Sequence, residues 1–214
     1  MINMAEIQNT LFGQGEKELK LIPTSFSNSY YRKLLLTHYP KSKGVMGRRF
    51  CYDIFYDGRI IGVISAVSIP VTYKPVAKVI YDVDKLTKDI SLKYLNEIYS
   101  NNIFRLEYTE PNLASRILKL FRENLQRDIK NKYNIDIKGI VTLTYGLNVR
   151  NTERTGVCYK ADNWIYLGKT KGVHRVGMPF GEFKFVETEK KHVWLYVYPK
   201  KKMRGVGYGK DKKE

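Results

Sequence analysis

The chain has 214 residues, 43% of them hydrophobic, which is enough for one folded domain with a real core and excludes disorder throughout. Lys and Arg number 38 against 21 Asp and Glu, a formal net charge of +17. A surplus that large costs self-repulsion and points to a polyanionic partner: DNA, RNA or an anionic membrane surface. Cys51 and Cys158 are the only cysteines, so neither a zinc pattern nor a disulfide framework is expected, in keeping with a reducing compartment. The opening MINMAEIQNTLFGQGEKELK lacks the basic start and apolar run of a signal peptide, and no apolar run approaches a membrane span. The expectation is a cytoplasmic, soluble protein that does not engage a membrane.

Along the chain, residues 1–26 read as a polar lead-in and 27–199 as the domain. SNSYYRKLLLTHY (27–39) has a capping Ser27 or Asn28 and an apolar face of Tyr31, Leu34 and Leu35, the pattern of a short helix. FCYDIFYDGRIIGVISAVSIP (50–70) predicts two strands joined at Asp57-Gly58, a dipeptide suited to a two-residue hairpin turn. Residues 71–100 suit one or two helices, and NIFRLEYTE (102–110) a strand. Pro111 then falls at the first turn of a long helix, whose Leu113, Ile117, Leu120, Phe121, Leu125 and Ile129 recur at helical spacing. GIVTLTYGL (139–147) predicts a buried strand, and RTGVCYKADNWIYLGKTKG (154–172) a segment that begins as a short helix. EFKFVETEKKHVWLYVYPK (182–200) suggests two strands or a hairpin turning at Glu187 to Lys191. The tail 200–214 carries seven Lys or Arg against Asp211 and Glu214, an excess of +5, suited to phosphates or simply to solubility.

This order of elements resembles the GNAT acyltransferase fold, an α/β (α+β) arrangement with a twisted mixed β-sheet and helices on both faces. In that fold an acyl-CoA lies where two central strands separate, its pyrophosphate on the amides opening the long helix, where the helix dipole favours anions. The resemblance places acetyl-CoA or a related acyl-CoA on Asn112, Leu113, Ala114, Ser115 and Arg116. The usual glycine-rich signature is absent there, and the same residues also suit a plain helix cap. The GNAT pattern carries a Tyr in the short helix that follows, which matches Tyr159, with Asn163 at the left-handed position and Trp164 in place of a core Phe. Tyr159 is then the general acid for the leaving thiolate; a core tyrosine is the alternative.

TGVCYKADNWIYLGKTKG, PNLASRIL (111–118) and VYP (197–199) are similar to motifs of the Druantia-type anti-phage defence proteins. The looser spacing, with THY (37–39) ahead of the sheet, looks like the phage Mom family. Mom proteins are GNAT-like and modify adenine in bacteriophage DNA, giving an N6-carbamoylmethyl group that evades restriction. The resemblance implies a DNA-modifying transferase in which His38 is a base or metal ligand, the metal itself being unknown. The Asp that these families often carry before the Tyr motif is missing from LNVRNTERTG (147–156). Double-stranded DNA is the implied partner, a flipped base being read by Asn163 and Trp164 with phosphates on Lys160, Lys169, Lys171 and Arg175. The other reading is a non-catalytic nucleic-acid-binding component of a defence system, and a third is an acyltransferase acting on a protein or small molecule. His174 and His192 read as surface residues.

Overall fold

A computed structural model describes residues 17–36, 47–68, 73–145, 156–177 and 183–199. Its strands are β1 (Leu19–Thr24), β2 (Arg49–Tyr56), β3 (Arg59–Ser68), β4 (Ile98–Leu106), β5 (Gly139–Tyr145), β6 (Ile165–Lys169), β7 (Val173–Gly177), β8 (Phe183–Glu187) and β9 (Lys191–Val197). Its helices are α1 (Ser29–Leu36), α2 (Lys74–Tyr81), α3 (Lys88–Glu97), α4 (Leu113–Tyr133) and α5 (Val157–Ala161). Seven strands form one sheet in the order β1-β2-β3-β4-β5-β9-β6, and β7 and β8 pair as a separate ribbon. All neighbours are antiparallel except β4 and β5, which α4 joins as a parallel crossover.

The β2–β3 hairpin turns at Asp57 and Gly58, both at positive φ (51° and 73°), the pair of left-handed residues that matches strand twist. Alternate residues of β2 feed opposite faces, Tyr52 and Ile54 toward one and Cys51 toward the other. On the first face α4 buries Leu113, Ile117, Leu118, Phe121, Leu125 and Ile129, and α5 adds Tyr159. The second face is covered by α2 and α3 over Ile98, Val141 and Val193, and by α1 through Tyr31 and Leu34 over Val63 and Ile103. The sheet therefore has helices on both faces, as expected.

Several local expectations are corrected. Residues 19–24 of the expected lead-in are the edge strand of the main sheet, paired residue for residue with β2. Pro111 precedes α4 instead of entering its first turn, because Asn112 takes a left-handed φ of 62° and delays the helix to Leu113. The two strands of 182–200 do not form a hairpin: β8 pairs with β7, while β9 inserts between β5 and β6. No helix among the described residues is long and apolar enough to cross a membrane.

Candidate active site

The β4–β5 ladder runs only from Ile98↔Gly139 to Asn101↔Thr142, although β4 continues to Leu106 and β5 to Tyr145. Beyond Asn101 the two central strands are unpaired with one another. A bulge lies at the same level on the other side of β4, where Ser65 faces Ile103 and Ala66 faces Asn101, leaving Asn102 extra. Asn101 is buried and spends its amide on the Ser65 and Ile103 carbonyls, at 2.9 and 3.0 Å. Thr142 Oγ1 donates to the Asn101 carbonyl at 3.0 Å, which ties the last rung of the ladder across the strands. Ser65 Oγ accepts from Tyr31 at 2.7 Å and donates to Asn102 Oδ1 at 3.0 Å. The point of divergence is thus a satisfied buried polar network, and such networks hold one arrangement.

Tyr159 delivers its hydroxyl to this point, donating to Asn101 Oδ1 at 3.3 Å. The phenol is 6% exposed. Burial pushes its pKa well up, assisted by Cys158 and only partly opposed by a hydrogen bond with Thr142. Such a group stays protonated across the physiological range and is a proton donor. Its ring stacks on Trp194 at 6.3 Å and meets the edge of Trp164 at 5.1 Å. Gly156 heads α5 with φ 68°, and a Cβ there would come within 2.6 Å of the Trp194 indole, so this approach needs glycine.

A buried ion pair anchors the end of α5. Arg122 of α4 donates Nε and Nη2 hydrogen bonds to Asp162 at 2.7 and 2.6 Å. Asp162 also accepts from Trp164 Nε1 at 2.8 Å, and Asn163 takes a left-handed φ of 60°, as its position in the motif predicts.

At the opening of α4 the expected cradle narrows. Leu113 is corrected: its side chain is fully buried and its amide donates to the Glu110 carbonyl. Asn112 makes no side-chain cap, and its carbonyl receives Ser115 Oγ and the Arg116 amide. Among the described residues no carbonyl accepts from the Ala114 and Ser115 amides, and the Arg116 side chain lies exposed beside the Tyr56 ring. Two open amides at a helix start plus a guanidinium fit a phosphate group. Glu110 brings a carboxylate to the same end. The Tyr56 hydroxyl, with Tyr108 and Lys17, holds it below the usual carboxylate range.

Of the expected DNA-contacting residues, Lys160, Asn163, Lys169 and Lys171 are exposed. Trp164 occupies the core position that its place in the motif implies, 4% exposed, with its indole N–H taken by Asp162. Arg175 lies on β7, and His38 falls outside the described residues. His192, expected at the surface, is buried on β9, where its Nδ1 is bonded to the Tyr166 hydroxyl at 2.9 Å. Sequence reasoning missed Asn101, Thr142, Tyr166, His192 and Trp194; the alternation HVWLYV, read as a strand with its even residues on the Tyr159 side, was the available signal for the last two. Among the described residues no three His, Cys, Asp or Glu side chains gather as a metal group.

A sheet parted at its one parallel pair, with a long helix following the first of those strands and a short tyrosine-bearing helix following the second, is the GNAT acyltransferase fold. The solved structure of RimL, a ribosomal L7/L12 α-N-protein acetyltransferase in complex with coenzyme A, superposes at TM-score 0.50 with 12% identity, over 86% of this chain and 95% of that one. A GNAT family acetyltransferase from Elizabethkingia anophelis with acetyl-CoA bound gives 0.45 and 12%, over 84% and 98%. The Salmonella typhimurium acetyltransferase that modifies the N-terminal serine of L7/L12 gives 0.42 and 12%, over 72% of this chain, which spans 66% of that enzyme's length. No family model matches the sequence, and no curated protein does.

Proposed function

We propose that this chain is an acyl-CoA-dependent transferase that modifies DNA, with adenine as the acceptor base. The observation that carries the transferase reading is the Tyr159 hydroxyl at the last shared rung of β4 and β5, beside the gap they leave. The acyl-CoA supplies an acyl group activated as a thioester. The Ala114 and Ser115 amides and Arg116 are the residues that would hold its phosphates. Tyr159 gives its proton to the sulfur as the carbon–sulfur bond breaks, so a thiol leaves instead of a thiolate. The acceptor nitrogen forms the new bond to carbon with its lone pair, and the proton it loses returns the phenolate to a phenol. DNA as acceptor is supported by the net charge of +17 and the exposed Lys160, Lys169 and Lys171. The similarity of TGVCYKADNW and PNLAS to anti-phage defence proteins supports a role in phage conflict, and the Mom-like spacing, with THY (37–39) ahead of the sheet, supports adenine and protection from restriction.

The test is mass spectrometry of nucleosides from cells expressing the protein. Wild type yields a mass-shifted deoxyadenosine; Tyr159→Phe, which keeps the ring packing, yields none while its DNA affinity is unchanged. Unshifted nucleosides from wild-type cells would overturn the proposal. The Glu110 carboxylate at the opening of α4 favours a second reading, a nucleic-acid-binding protein that has lost its donor. Calorimetric titration with acetyl-CoA separates the two, since only the transferase binds it.

A further inference from the structure

A hollow of about 470 Å³ lies at the β6–β9 edge on the α5 side of the sheet, lined by Lys160, Trp164, Tyr166, His192 and Trp194. Four of these five side chains are aromatic rings, and they come from β6, β9 and the turn that precedes β6. Trp164 and Trp194 also pack directly on Tyr159, so the hollow and the phenol share a wall. Tyr166 stands 5.0 Å from Trp194 and is half exposed, its hydroxyl steered by His192. Trp194 Nε1 is buried without a hydrogen-bond acceptor among the described residues. That edge of the indole lies against Gly156, which heads α5. Lys160 supplies a cation at the rim.

We propose that this hollow seats a flat heteroaromatic ring bearing a phosphate, the ring against the Trp194 and Tyr166 walls and the anion on Lys160. The proposal rests on the transferase reading above and identifies the hollow as the seat of the acceptor nucleotide. Aromatic walls discriminate for a ligand with π-faces of its own, and base-on-aromatic stacking tolerates any base.

Trp164 and Trp194 are the only tryptophans in the chain, so its intrinsic emission reports on the hollow alone. The experiment titrates the full chain with an end-labelled single-stranded oligonucleotide, with the same strand made abasic, and with dAMP. Anisotropy reads binding and tryptophan emission reads seating. Intact strand and dAMP quench the emission, while the abasic strand binds without quenching. Tyr166→Ala, at a half-exposed position that leaves the core intact, weakens dAMP quenching at least about fivefold. Quenching by dAMP without anisotropy change from either strand retains the ring seat and removes DNA as substrate. Binding of the intact strand with no quenching, or equal quenching by the abasic strand, overturns the ring seat and leaves the DNA reading standing.

Discussion

Asp162→Ala tests whether α5, and with it Tyr159, is held in place by one ion pair. The Arg122 and Asp162 side chains are 12% and 5% exposed, so water does little to screen them or to replace a lost partner. Two charge-assisted hydrogen bonds join them, and the same carboxylate receives the Trp164 indole N–H. Removing the carboxylate leaves a guanidinium buried with, among the described residues, the Tyr196 face 3.9 Å away to stabilise it. Breaking one side of a buried pair costs about 3–5 kcal/mol, and the stranded indole donor adds about 1 kcal/mol more. The expected loss is therefore about 4–6 kcal/mol, or a fall in Tm of at least about 8 °C for a chain of this size. Urea unfolding followed by tryptophan emission and far-UV circular dichroism measures it. Arg122→Met with Asp162→Leu removes both charges together and is expected to restore stability to within about 1 kcal/mol of wild type. A loss below about 1 kcal/mol for Asp162→Ala alone would refute the argument.

Gly156→Ala is expected to cost about 2–5 kcal/mol, the sum of a left-handed alanine and an overpacked indole; a variant as stable as wild type in urea would show that Trp194 can yield. Tyr31, Tyr52, Tyr94, Tyr159 and Tyr198 are all buried, and burial is the first cause that raises each of their pKa values. Above about pH 10 the unfolded chain loses these protons and the folded chain keeps them, so stability is intact below about pH 9 and falls as pH rises further. Each tyrosine contributes a slope of about 1.4 kcal/mol per pH unit. The share of tyrosinate absorbance that belongs to these five should therefore appear together with loss of circular dichroism, and ionisation of all 17 tyrosines near pH 10 in an intact fold would contradict it.

What could be read from the sequence was what local chemistry decides. Asp57-Gly58 turns the chain because both residues accept positive φ, and the 113–133 helix announces itself through its apolar spacing. Asn163 likewise reveals its conformation by residue type. What escaped is set by partners distant in the chain. β1, β6 and β7 are short, and β6 exposes much of its length, so no clean alternation marks it. Residues 183–187 and 191–197 look like a hairpin, but each finds a better partner elsewhere. Asn101 and Thr142 are ordinary strand residues until the register of β4 and β5 makes them the last rung. His192 and Trp194 join Tyr166 only because β9 pairs with β6.

The parting of β4 from β5 leaves the sheet with two unpaired strand edges in its interior, where most sheets confine raw edges to the rim. A guest with an extended, amide-bearing backbone can complete both ladders at once, whatever side groups it bears. Recognition along those edges therefore depends on shape and backbone spacing, and little on side chains. Under the proposed function, chemical discrimination falls to the two ends, the head of α4 and the ring hollow.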